Sequence, residues 1–240
     1  MNNERSTDQA RNRLVAKYKR VFHKLVDIYG RPQWEQHLPP VDELVCTILS
    51  QSTSDSNRDK GFTALLARFP DWHAVMTAPE AQVIDAIRPA GLANQKGPRI
   101  QAALRTISEE QGSIDLDFLA GMPLQEAKDW LTQLKGVGPK TAAIILLFTF
   151  NRPAFPVDTH VHRITRRLGL IAPQVDANKA HDILEDMGEP ETFYPFHINL
   201  IRHGREICRA RNPNCAICPL QDDCDYYQAL FPETLEPNGI

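Results

Sequence analysis

Two features of the sequence predict an all-α fold. Apolar residues recur almost everywhere at helical spacing, and no stretch alternates apolar and polar residues with the period of a half-buried strand. Leu14, Lys17, Tyr18, Val21 and Leu25 mark a first helix that ends near Gly30. Arg31 to Pro40 holds three prolines and reads as a connector. Asp42 is then placed to cap a helix carrying Leu44, Val45, Ile48 and Leu49. Thr77 and Glu80 form a capping-box pattern ahead of Val83, Ile84 and Ile87, and Pro89 with Gly91 stops that helix. Ile100, Ala103, Leu104 and Ile107 mark another. Leu124, Ala127, Leu131 and Leu134 mark the next, with Pro123 in a favoured first-turn position.

The turn that follows, Lys135-Gly136-Val137-Gly138-Pro139, leads into the apolar run Ala142 to Phe148. A helix apolar all round sits inside a core rather than on its surface. The pattern is a helix–hairpin–helix element. Glycines let a ligand approach the backbone, and amides at a helix start attract phosphate oxygens. A plain tight corner between helices has the same local sequence.

Composition narrows the class. A chain of 240 residues can bury a sizeable core. Its 42% hydrophobic and 24% charged content excludes a disordered chain, a collagen-like repeat and a coiled-coil rod. The Ala142–Phe148 run is far short of the roughly 20 residues of a membrane span. Met1 to Gln9 is polar and carries acids, unlike a signal or transit peptide, so a soluble cytoplasmic protein is expected.

The net charge of −3 hides an uneven distribution. Arg11, Arg13, Lys17, Lys19, Arg20 and Lys24 lie in one stretch without an acid, whereas residues 221–240 hold five acids and no Lys or Arg. Setting those five acids aside turns −3 into +2. Arg163, Arg166 and Arg167 form a second basic cluster, and Arg202, Arg205, Arg209 and Arg211 a third. Such clusters suit a polyanion, and they also suit ordinary solvated helix faces.

Four cysteines form Cys208-x6-Cys215-x2-Cys218-x5-Cys224. Disulfides fit poorly with a chain lacking an export signal, and four thiols among turn residues suit one tetrahedral metal site. Spacing leaves zinc and an iron–sulfur cluster open, although a single C-x2-C knuckle tilts against zinc. Cys46 stands apart on an apolar helix face and reads as a buried, inert thiol.

Lys140 follows G-V-G-P, and Asp158 lies in V-D-T-H. A first-turn lysine and an N-cap for the helix of Val161, Ile164 and Leu168 are their structural readings. With the cysteine spacing, however, they resemble the endonuclease III family of helix–hairpin–helix DNA glycosylases. That family carries L-P-G-V-G-x-K-T-A, then V-D-T-H, then C-x6-C-x2-C-x5-C. All three stand here in order, within roughly residues 15–227, with Lys135 in place of the first motif's Pro.

The resemblance implies two all-α domains around a DNA cleft. Residues 38–151 would form a six-helix barrel, and residues 1–37 with 152–240 a discontinuous domain holding a [4Fe–4S] cluster. It implies a bifunctional enzyme, expected as a monomer, that excises oxidised pyrimidines such as thymine glycol from double-stranded DNA. The enzyme would then nick the abasic site by β-elimination. Lys140 matches the nucleophile, Asp158 the catalytic aspartate, and Cys208, Cys215, Cys218 and Cys224 the cluster ligands. The hairpin Gly136, Val137 and Gly138, with Arg209 and Arg211, would meet DNA. His160 would bond a phosphate or cap its helix, and His162 is expected to be structural.

The family also fills the space left by the extruded base. Leu92 in G-L-A-N falls at its apolar wedge, or alternatively closes a helix. Ser52 stands where the family has a gap-filling glutamine, with Gln51 one residue early. A monofunctional relative and a non-catalytic DNA-binding module are the competing classes; Lys140 argues against the first, and the Lys140/Asp158 pair against the second.

Overall fold

In the computed structural model, which describes residues 2–232, the described chain is helical with no strand. Its helices are α1 (Asn2–Tyr29), α2 (Pro40–Ser50), α3 (Asp55–Arg68), α4 (Trp72–Thr77), α5 (Glu80–Ala86) and α6 (Ala93–Gln111). They continue as α7 (Leu124–Gln133), α8 (Pro139–Ile144), α9 (Thr159–Arg167), α10 (Ala177–Met187), α11 (Phe193–Glu206) and α12 (Asp225–Leu230). The chain divides into two compact units, one of residues 35–152 and one of residues through Trp34 and from Pro153 onward.

The middle unit contains α2 to α8. Leu44, Ile48, Leu49, Leu65, Val83, Ile87, Ile100, Leu104 and Leu131 are fully buried there, each contributing about 1.5–3 kcal/mol by leaving water. His37, placed by the sequence with the N-terminal segment, is tied into this unit instead. Its amide donates to the Phe148 carbonyl at 3.5 Å, and its ring meets the Glu43 carboxylate at 2.8 Å.

Three expected helix starts are corrected. α2 begins at Pro40 behind Pro39, with no side-chain cap. Asp42 lies inside its first turn and accepts from Trp72 Nε1 at 2.8 Å. Prolines preset the helical backbone, so the carboxylate is left for a distant indole. α5 likewise starts after Pro79 without a side-chain cap, and Thr77 bonds back to the His73 carbonyl as the end of α4. Pro123 is the residue before α7 rather than its first. The apolar run beyond α8 widens into a π-helix at Ile145–Thr149, in which all but Phe148 are buried.

The other unit is built on α1, α9, α10, α11 and α12. α1 ends where Gly30 takes φ +82°, as its sequence suggested. Tyr18 and Phe22 meet Phe196 of α11 edge-on, at centroid distances of 4.6 and 5.8 Å, and Phe155 packs onto Phe193 and Phe196. A Cβ at Gly188 would fall 2.4 Å from the Tyr18 hydroxyl, so glycine is required at this close approach.

The basic stretch of α1 is held by acids of its own unit. Arg11 pairs with Asp186, Lys17 with Asp225, Lys19 with Glu189, and Arg20 and Lys24 with the buried Asp223. These pairs favour solvated helix faces for that stretch, and two acids near the C-terminus, Asp223 and Asp225, are among the partners. Glu233 and Glu236 of the acidic tail lie outside the described residues.

Candidate functional site

The hairpin joins α7 to α8 in the middle unit. Val137 is buried, and its amide donates to the Leu134 carbonyl at 3.0 Å. Gly136 has φ +89°, and a Cβ there would fall 2.7 Å from the Arg99 side chain. Both conditions demand glycine. Gly138 is the N-cap of α8 and Pro139 occupies its first turn. Lys140 follows, half-buried, ahead of the fully enclosed Ala142, Ala143, Ile145 and Leu146.

Two loops of the same unit carry the other expected contacts. Gln51 donates from Nε2 to the Gly136 carbonyl at 2.9 Å and accepts from Arg99 at 3.3 Å. Ser52 beside it is exposed, with φ +53°. Leu92 is 49% exposed at φ +49°, as the residue that precedes α6. A left-handed conformation costs a non-glycine residue on the order of 1–3 kcal/mol, and such strain gathers at functional positions. An exposed leucine held that way does not read as core.

Asp158, in the other unit, is the N-cap of α9. Its Oδ1 accepts from the Val161 amide at 2.7 Å, as the structural reading of V-D-T-H anticipated. His160 is half-buried, and its Nδ1 lies 3.1 Å from an amino group of Arg163. Because the guanidinium can only donate, Nδ1 is the acceptor and the proton sits on Nε2. Arg163 also donates to the carbonyls of Gly204 and Cys208. His162 Nε2 meets the Val175 carbonyl at 2.8 Å, a structural bond as expected.

Cys208, Cys215, Cys218 and Cys224 line one pocket together with Arg167 and Tyr226. Arg167 of α9 reaches the Cys208 sulfur at 3.2 Å, donates to the Arg209 and Ala210 carbonyls, and lies 4.7 Å over the Tyr226 ring. Burial pushes the Cys218 thiol up to about 11, and also raises Cys215 and Cys224, with the neighbouring sulfurs adding repulsion. Four thiols sharing a desolvated cavity beside a guanidinium suit an electron-poor centre that stabilises thiolates, so an iron–sulfur cluster fits this donor set. Among the described residues, no three His, Cys, Asp or Glu side chains converge as ligands of a single ion. Burial also raises Cys46, to about 11, consistent with an inert thiol. Arg209 and Arg211, between the first two cysteines of the set, are exposed.

Residues 45–190 match the HhH-GPD superfamily of base excision DNA repair proteins. The chain belongs to that superfamily. Residues 208–224, spanning the four cysteines, match the iron–sulfur binding domain of endonuclease III, so this HhH-GPD protein carries the cluster domain as well. Endonuclease III of Sulfolobus acidocaldarius is 34% identical over 188 residues, covering 77% of this chain and 81% of that one. Endonuclease III of Thermotoga maritima is 32% identical, covering 82% and 88%. A putative DNA glycosylase of Arabidopsis thaliana is 37% identical over 176 residues, and the match spans 60% of its length. The match to the rice protein ROS1C spans 10% of that protein.

Among solved structures, a non-covalent endonuclease III–DNA complex superposes with TM-score 0.78 at 25% identity, covering 91% of this HhH-GPD chain and 99% of the other. A thermostable thymine-DNA glycosylase shares the fold at TM-score 0.73 and 20% identity. No described helix is long and apolar enough to cross a membrane.

Sequence reasoning missed the bond from Gln51 to Gly136 and the burial of Lys96 behind the two loops. An amide or ammonium directed at a carbonyl far along the chain leaves no local pattern.

Proposed function

We propose that this HhH-GPD protein is a bifunctional DNA glycosylase that removes oxidised pyrimidines, thymine glycol among them, from duplex DNA and then nicks the abasic site. The observation that carries the proposal is Lys140 in the first turn of α8, directly after the glycine hairpin and ahead of a buried apolar helix. Lysine is an amine that attacks carbon once it loses its proton.

In this reading the Lys140 nitrogen bonds to C1′ of the sugar as the C1′–N bond to the base breaks. Asp158 supplies negative charge to the developing oxocarbenium ion and assists proton removal from the amine. The departing base takes up a proton. The sugar ring opens to a Schiff base between Lys140 and C1′, loss of a 2′ proton follows, and the 3′ phosphate leaves. Hydrolysis of the imine returns the amine.

Leu92 enters the stack beside the extruded nucleotide, and Ser52 is the polar residue of the second loop. Gly136, Val137, Gly138, His160, Arg209 and Arg211 contact the sugar–phosphate backbone, which positions the protein without reading sequence. Cys208, Cys215, Cys218 and Cys224 hold the [4Fe–4S] cluster, which clips a loop that has little core of its own. The protein works as a monomer on cytoplasmic DNA of a bacterial or archaeal type. Endonuclease III, whose DNA complex shares this fold at 25% identity, supports the choice of DNA as partner.

The test is incubation with a duplex containing one thymine glycol, with and without borohydride. Base release, strand scission and a trapped protein–DNA adduct are expected. Base release without adduct or scission would point to a monofunctional enzyme, and binding without either step to a non-catalytic module.

A further inference from the structure

Lys96 is 1% exposed, in the first turn of α6. Its ammonium donates to the carbonyl of Leu49 at 2.7 Å and to the carbonyl of Ala90 at 2.8 Å. Leu49 lies in the last turn of α2, and Ala90 closes the 3₁₀ turn Arg88–Ala90. Carbonyls at helix ends have no helical partner, so one cation satisfies two chain ends from within the core. Ser52 follows three residues after Leu49, and Leu92 two residues after Ala90. Both are exposed and left-handed.

The same helix shows that a charge is not needed simply to bracket loose carbonyls. Gln101, also 1% exposed, reaches the carbonyls of Val75, Met76 and Ala78 with a neutral amide. An ammonium is much harder to desolvate, and it holds oxygen acceptors more tightly. Among the described residues, a buried lysine stands only behind the two loop tips.

We propose that Lys96 is a positioning residue for base extrusion: its ammonium fixes Ser52 and Leu92 relative to each other, so that both tips meet the duplex as one rigid element. The proposal rests on the glycosylase reading for its functional consequence, but the clamp itself does not.

Two experiments separate the clamp from the activity. In the first, hydrogen exchange is followed on the full chain without DNA, for Lys96→Met and wild type. Faster exchange in peptides covering residues 50–54 and 88–92, with α10 (Ala177–Met187) unchanged, is expected. Unchanged exchange in those two loops, or equal acceleration everywhere, overturns the clamp whatever the protein catalyses. In the second, single-turnover excision from a thymine glycol duplex is compared with nicking of a pre-formed abasic site. Lys96→Met should lose about tenfold or more on the intact lesion, the scale of one charge-assisted hydrogen bond, and much less on the abasic site.

In a Leu92→Ala background the same change should add little, because the tip it positions is gone. Equal losses on both substrates, or full additivity with Leu92→Ala, overturn the positioning role. If Lys96→Met does not fold, Lys96→Gln, which keeps two N–H donors on a shorter stem, is carried through both comparisons under the same criteria.

Discussion

Gln51 donates its side-chain amide to the backbone carbonyl of Gly136 at 2.9 Å, tying the loop after α2 to the tip of the hairpin. Its own carbonyl is engaged by Arg99 at 3.3 Å. Gln51 is therefore committed within the middle unit, and Ser52, exposed at φ +53°, is the residue presented beyond it. Gln51→Ala should destabilise the protein by about 1 kcal/mol, the net value of a typical internal hydrogen bond, and weaken duplex binding through the loosened hairpin. Ser52→Ala should leave stability unchanged. Thermal melts and fluorescence anisotropy with an abasic-site analogue check both; the reverse pattern would make Gln51 the inserting residue.

The cysteine cavity gives a prediction that needs no substrate. Purified protein should be yellow-brown, with broad absorbance at roughly 400 nm from sulfur-to-iron charge transfer. Iron and sulfide analysis should return four of each, the stoichiometry of the [4Fe–4S] cluster proposed for these cysteines. A colourless protein with one stoichiometric zinc, prepared without oxygen, would overturn the assignment.

Electrostatics should separate the two kinds of basic cluster. Duplex affinity should fall steeply with salt, with a log–log slope of about −0.9 per phosphate neutralised. Changing Arg209 and Arg211 together to Ala should weaken binding and flatten that slope. Lys19→Ala should change neither, because Lys19 is paired with Glu189 on the outside of α1. Equal effects from the two variants would restore the N-terminal helix as a DNA surface.

Leu92 offers a test of how the base is extruded. Leu92→Ala should lower excision from an intact lesion far more than nicking of a pre-formed abasic site, where unstacking costs less. As an exposed residue, its truncation should leave the melting temperature almost unchanged. Equal losses on the two substrates would make it a packing residue after all.

What the sequence made legible were features with a local period or a fixed spacing. Helical periodicity marked α1, α2, α5, α6 and α7, the glycine hairpin stood between two apolar helices, and Asp158 proved to be the cap that its position before Val161 implied. Local capping patterns failed at Asp42 and Thr77 because a proline beside each helix start had already set the backbone. The π-helix at Ile145–Thr149 was hidden, since an enclosed helix has no polar face to betray a change of period. Long-range bonds were invisible for another reason. Arg20 with Asp223, Gln51 with Gly136 and Lys96 with Leu49 join residues that only the tertiary fold brings together. A cluster of charge in a sequence records how many ions stand there, not whether they face solvent, a ligand or each other.

The chemical assignment stands or falls on Lys140. If its amine is the nucleophile, borohydride should trap a covalent protein–DNA adduct, and peptide mapping should find it on Lys140. Lys140→Gln keeps a similar stem and removes the amine, so the fold and duplex binding should survive while Schiff-base formation and strand scission disappear. Asp158→Asn should act differently. Asn caps a helix as well as Asp, so the bond to the Val161 amide and the melting temperature should be kept, whereas charge stabilisation at C1′ is lost. The resulting fall should be about 10²–10³ in single-turnover excision, by analogy with other electrostatic contacts at developing charge. A drop in rate without a drop in stability separates catalysis by Asp158 from capping by Asp158. If Lys140→Gln still gives trapped adduct and wild-type scission, the amine lies elsewhere. The bases of α1 would be poor replacements, because Lys17, Lys19 and Lys24 are each held by a carboxylate of their own unit.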